Sequence, residues 1–232
     1  MMRRFPRLSR RVSTLLAAGA LGILAPLLPA AASAASAATG NTACSGGSIA
    51  AGTYRSLTVT GFCSVDAGSV TVTMNLTLAT GAALNAAFGG SDLNVGGNLT
   101  ATGALMVLAH HNTIGGNVTQ SGGGGGVNCS TFPLGPDGPP AYSTYEDNTI
   151  GRNASVTGLG TCWLGFIRNT VANNVNFNGN ANFDPDGNEV VTNSVGRNLN
   201  CSGNSPAPQV GDSAGSANTV GGKATGQCVV LT

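Results

Sequence analysis

Asp184, Asp186 and Asn188 alternate within the segment DPDGNE (184–189), and oxygen donors at this spacing open a calcium-binding loop. Ca²⁺ is therefore the ion this run would take. The run departs from such a loop at its sixth position, Glu189 where glycine is needed, and at its twelfth, Val195 where a bidentate acid is needed. A charged β-turn uses the same residues without an ion. A second pattern, GDSAG at 211–215, offers Ser213 as a nucleophile. A nucleophile elbow requires a strand before it and a helix after it, and here Ser- and Gly-rich sequence surrounds it. His110 and His111 are of metal-ligating type, but neighbours on a strand point to opposite faces, so the pair is not expected to chelate one ion. Tyr142, Tyr145 and Trp163 lie near Glu146 and Asp147. Aromatic rings beside acids suit stacking on sugar rings, and this set is the expected binding surface. Glycoside chemistry needs two carboxylates converging across one bond. Asp66, Asp92, Asp137 and Asp212 are scattered singly, so no catalytic residue is assigned.

The elements that must position these residues come from a repeat. NTIGGNVTQSG (112–122) returns as NTIGRNASVTG (148–158), NTVANNVNFNG (169–179) and NSVGRNLNCSG (193–203). Aligning the apolar letter of the motif gives Val72, Val95, Ile114, Ile150, Val171, Val195 and Val220, at spacings of 23, 19, 36, 21, 24 and 25 residues. A period in this band denotes a solenoid. Behind the motif, apolar and small polar letters alternate strictly, the signature of a strand with one buried face. Leu57, Leu76, Leu99, Val118, Ala154, Val175 and Leu199 form one inward column. Val59, Leu78, Ala101, Val156, Phe177 and Cys201 form the next, with Gln120 interrupting it and predicting a local irregularity. Asparagines recur at two turns: 98, 117, 153, 174 and 198 at one, and 112, 148, 169, 193 and 218 at the other. Stacked amides can pair the backbone groups that a tight turn leaves open, and neighbouring glycines permit positive φ at the corners.

Strand, turn, strand, turn at this period is an all-β, single-stranded parallel β-helix. About eight coils at the inter-strand spacing make a rod on the order of 40 Å long. The pattern resembles the right-handed parallel β-helix of pectate-lyase-like proteins and, more narrowly, secreted actinobacterial β-helix proteins with NTV-G-N coils. The resemblance covers roughly residues 53–228, is one of fold, and implies a right-handed winding. Thr58/Thr60, Thr71/Thr73 and Thr100/Thr102 also resemble the outward threonine arrays of ice-binding solenoids, although threonine is a favoured residue on any exposed strand.

The N-terminus carries five arginines, then an apolar run, then the small-residue sites Ala32-Ser33-Ala34 and Ala35-Ser36-Ala37. This order describes a secretory signal over 1–37, and Gly22, Pro26 and Pro29 break the run as a membrane span. Without it the chain has five cations against nine acids, a net charge of −4, which argues against nucleic acid as a partner. Six cysteines in an exported chain imply three disulfides, and fifteen connectivities are open. Sequential pairing, Cys44–Cys63, Cys129–Cys162 and Cys201–Cys228, is expected because it joins positions about one coil apart. A segment over 38–52 then leads into the helix over 53–232, with an inserted loop at about 122–147, where pentaglycine and four prolines interrupt the period. The expected function is that of a monomeric, non-catalytic structural or binding protein at the cell envelope or outside the cell, meeting a polysaccharide or an envelope protein. A carbohydrate-active enzyme and a filament-forming solenoid on the same scaffold are the alternatives.

Overall fold

The computed structural model describes residues 38–65, 68–87, 91–127, 129, 142–211 and 215–232. The stretch read as an export signal, residue Ser213 and most of the segment 128–141 lie outside them. The described chain winds into a parallel β-solenoid with three long strand-bearing faces and one short parallel pair, Gly160–Thr161 with Ala181–Asn182. One face runs from Gly68–Val72 to Thr219–Val220 and a second from Leu76–Leu78 to Ala224–Gly226. Strand Gly52–Val59 passes through the corner between them and joins both into one sheet of 16 strands. The third face has seven strands, Gly47–Ile49 to Asn188–Val191. It fixes the number of complete turns at seven rather than eight, the extra rungs being partial coils at the two ends. At about 4.8 Å per coil the body is roughly 34 Å long.

The register is the one that the repeat implies. Val72 pairs with Val95, Val95 with Ile114, and so on through Ile150, Val171 and Val195 to Val220. On the second face Leu57, Leu76, Leu99, Val118, Ala154, Val175 and Leu199 are in register and buried. Burying each large side chain of this stack contributes about 1.5–3 kcal/mol. Gln120 does not disturb the column. It is wholly buried and in register between Ala101 and Val156. The Tyr145 hydroxyl donates to its Oε1 at 2.9 Å, and its Nε2 donates to Ser143 Oγ at 3.2 Å. A polar layer with its bonds made is compatible with the stack, whereas an unpaired amide would not be.

Two asparagine ladders close the corners. In the buried one, Asn148 Oδ1 accepts the N–H of Asn112 at 2.9 Å, and Asn169 Oδ1 accepts both the N–H and Nδ2 of Asn148 at 3.0 Å. Asn193 and Asn218 repeat the arrangement, and each Nδ2 also reaches the carbonyl of the penultimate residue of the preceding coil's third-face strand, as Asn169 does to Tyr145 at 2.8 Å. The second ladder, from Asn75 through Asn98, Asn117, Asn153 and Asn174 to Asn198, is half-buried to exposed and runs the other way, each Oδ1 accepting from the following coil. A third, Asn180–Asn204–Gln227, was not apparent in the repeat.

The corners depart from expectation in two respects. The glycines beside the asparagine columns (96, 97, 115, 116, 151, 196, 221 and 222) do not have positive φ, and a Cβ there would meet backbone of the preceding coil; positive φ falls instead on the glycines that close the later second-face strands (103, 122, 158, 179, 203 and 226). At the corner before the buried ladder, however, His111, Asp147, Arg168 and Thr192 adopt φ of 54–58° without being glycine. The threonine pairs divide as well: Thr100 and Thr102 lie on the second face, while Thr71 lies on the first, so the three pairs form no single array.

The interval expected to be loop over 122–147 ends in a full third-face strand, Tyr142–Glu146. Its glycine run is also tied to the coils on both sides, Gly124 N–H to Ala104 O and Gly126 N–H to Gly160 O. Disulfides join Cys44 to Cys63, Cys129 to Cys162 and Cys201 to Cys228. The last holds the terminal 3₁₀ turn Gln227–Leu231 over the end of the coil, where Leu231 O accepts from Asn218 N–H and Val229 and Val230 remain exposed. Among the described residues no helix is long and apolar enough to cross a membrane.

The ladders generate a graded expectation. Asn169→Ala strands the N–H of Asn148 and the carbonyl of Tyr145 in the interior, at about 1–3 kcal/mol for each group. Asn174→Ala exposes its partners to water and costs about 1 kcal/mol. Urea midpoints of the two variants should therefore differ clearly, and equal losses would show that burial of the ladder does not set its worth.

Candidate functional site

The corner beside the buried ladder gathers the titratable side chains. His110 ends strand Met106–His110, with its outward ring in register with Glu146 of the next coil. His110 Nε2 lies 3.0 Å from Asp147 Oδ2. Arg168, one coil further, clasps Asp147 through Nε and a terminal nitrogen, both at 2.8 Å, and reaches Glu146 at 3.2 Å. The Arg168 guanidinium, and then His110, hold the Asp147 carboxyl below its usual range against a partial desolvation that raises it.

The two histidines are not on opposite faces. His110 is the last strand residue, and the left-handed backbone of His111 turns its ring back beside the first, centroids 4.2 Å apart. Opposite facing requires a strand that continues through residue 111, and the corner ends it at residue 110. The donor atoms of His110, His111 and Asp147 all lie within 4.8 Å of one another. The sequence did hold a signal for this: each histidine pair position precedes a ladder asparagine, here Asn112, and so sits at the corner.

The aromatic set separates. Tyr145 is wholly buried, with its ring 6.1 Å from that of Phe166 and its hydroxyl on Gln120, and burial pushes that hydroxyl's pKa up. It is a core residue, because Gln120 offers the acceptor that lets a tyrosine point inward. Tyr142 and Trp163 are in register on the outer side of the third face and half-buried. A Cβ on Gly165 would run into the far edge of the Trp163 indole, so the ring lies across that glycine. One coil on, the N–H groups of Phe183 and Asp184 bond the carbonyls of Thr161 and Cys162. Cys129, Cys162, Trp163, Phe183 and Asp184 thereby line a cleft of about 190 Å³, with Phe183 64% exposed. A larger cavity of about 320 Å³ at the N-terminal coil is lined by Ile49, Tyr54, Leu57 and neighbours and has no charged group.

The alternate residues of 184–188 divide between surface and interior. Asp184 Oδ1 accepts the N–H of Asp186 at 3.0 Å, the bond of a side-chain-closed turn. Asp186 is exposed, while Asn188 is buried and its Nδ2 donates to Pro206 O at 2.8 Å. Glu189 is buried against Gly211. No known family, curated protein or solved structure matches this chain.

The ion pair carries a pH signature. Because the folded Asp147 carboxyl is depressed, its contribution is complete above the ordinary aspartate value of about 3.9 and is lost as pH falls through the folded value. Arg168→Gln should therefore lower the urea midpoint at pH 7 and narrow its gap to the parent at pH 3. A gap that is unchanged at pH 3 would show that the clasp acts by packing.

Proposed function

We propose that the protein is an exported, non-catalytic solenoid that serves outside the cell or at its envelope as a binding and structural element. It takes a polysaccharide at the cleft of Trp163, Phe183 and Asp184. The observation that carries this reading is the aromatic pair itself. An indole whose far edge lies over Gly165, a largely exposed second ring one coil away and one carboxylate in the same cleft suit the apolar face and rim hydroxyls of a sugar. Binding sites of this class are concave and mainly apolar, with few polar groups placed for orientation. Tyr142 extends the same surface by one coil towards the N-terminus. The three disulfides fit an oxidising compartment. The adjacent acids Glu146 and Asp147 are both taken up by Arg168, which supports recognition over acid–base work at that corner.

Insoluble bacterial and plant polysaccharides mixed with the purified protein test this directly, the supernatant being read for lost protein and released sugar. Retention on one glycan class without sugar release is expected. Trp163→Ala and Phe183→Ala should each weaken retention about 10-fold or more, with unchanged circular dichroism. Release of sugar would assign catalysis instead, and retention indifferent to both substitutions would move the site elsewhere.

A further inference from the structure

We infer that His110, His111 and Asp147 form a binding site for a first-row divalent cation of the zinc, nickel or copper type, which clips together two successive coils. The site is independent of the glycan reading. Two imidazoles and a carboxylate are the donor set such ions take, and three protein donors leave further positions for water.

The geometry is close to what an ion needs. Metal–nitrogen bonds of about 2.0–2.1 Å and metal–oxygen bonds of about 2.0–2.2 Å at a tetrahedral angle put donor atoms about 3.3–3.5 Å apart. His110 Nε2 and Asp147 Oδ2 are already 3.0 Å apart. The His111 donor lies within 4.8 Å of both, leaving a gap that rotation of its exposed side chain is to close on binding. The backbone makes no new demand, because the left-handed corner that turns His111 towards His110 is the same corner that Asp147, Arg168 and Thr192 adopt. Arg168 donates to both oxygens of Asp147 at 2.8 Å, Nε to Oδ1 and a terminal nitrogen to Oδ2, which fixes the carboxylate's orientation, and Oδ2 keeps a second lone pair for the side of His110. Hydrogen-bonded support of a ligating carboxylate from outside the ligand set is the common arrangement at protein metal sites. All six cysteines are engaged in disulfides, so no thiolate competes for the ion.

The position gives the site a purpose. His110 and His111 belong to the coil before the long interval between Ile114 and Ile150, and Asp147 belongs to the coil after it. Every other step of the aligned column takes 19–25 residues, and this one takes 36. A cation bridging the corner ties together the two coils that the chain joins least directly. The Cys129–Cys162 bridge ties the same interval to the coil beyond.

Titration of the oxidised, chelator-treated protein with Co²⁺ and then Zn²⁺ tests the site. Binding of one Co²⁺ per chain is expected, with a visible absorption band of a nitrogen- and oxygen-ligated ion that Zn²⁺ abolishes. His110→Gln and His111→Gln should each weaken uptake at least 10-fold, the double substitution should remove it, and Zn²⁺ should raise the thermal midpoint of the parent alone. Both histidines are partly or fully exposed, so metal-free circular dichroism and urea midpoints of the variants should stay near the parent's. No uptake by the parent would overturn the assignment. So would uptake that survives the double substitution, and its loss in an Asp184→Asn, Asp186→Asn variant would place the ion at the other turn.

Discussion

The solenoid depends on one interaction, the side-chain amide that spans successive coils at each corner. A turn between two strands of a coil leaves an N–H and a carbonyl without a partner in the sheet, and burying either unpaired costs about 1–3 kcal/mol. The asparagine carboxamide carries two donors and an acceptor with two lone pairs. Asn169 uses all of these: its oxygen takes the N–H and Nδ2 of Asn148, and its nitrogen reaches Tyr145 O and Asn193 Oδ1. A shorter serine or a longer lysine would not do this at a coil spacing of about 4.8 Å. Because the buried and outer ladders point in opposite directions, neither end of the stack collects all the unmatched acceptors. The last coil closes what remains: Leu231 O and Gln227 Oε1 of the C-terminal turn and the N–H of Lys223 before the final strand complete the three ladders.

The same corner explains how an ordinary scaffold comes to hold a charged cluster. The residues before Asn112, Asn148, Asn169 and Asn193 adopt a left-handed backbone, a conformation in which histidine and aspartate are enriched among non-glycine residues and a β-branched one is strained. His111, Asp147, Arg168 and Thr192 fill this column, and Thr192 Oγ1 takes a compensating bond from Ser216 N–H at 2.9 Å. Side chains in such a column project in one direction and stack at the coil spacing. Proximity between histidine, acid and arginine therefore follows from column membership. The aromatic cleft arises in the same way, since Trp163 and Phe183 are about one coil apart in the chain.

Much of this was legible in the sequence, where a feature occurs once per coil at a fixed place. The column from Val72 to Val220, the two long asparagine ladders and the alternating inner face all depend on period alone. The third ladder was hidden because it has three members and ends in Gln227, although Asn180 and Asn204 each follow a corner glycine. Facing directions on the third face were harder. Tyr145 points inward because Gln120, on another face of the preceding coil, supplies its acceptor, and no local pattern around residue 145 contains that fact. The histidine pair was misplaced for the opposite reason: strand parity was applied one residue past the end of a strand. Asn188 shows the same limit, for its alternate spacing with Asp186 describes a sequence pattern, while the chain buries one and exposes the other.

Amide hydrogen exchange resolved by residue measures the buried ladder directly. The N–H groups of Asn112, Asn148, Asn169 and Asn193 belong to turns, and turn amides ordinarily exchange rapidly. If each is held by the carboxamide of the next coil, they should exchange as slowly as the buried strand amides of Val118 and Val175, opening only with the whole stack. Exchange at the rate of exposed turns would contradict the claim that side-chain amides hold the coils in register.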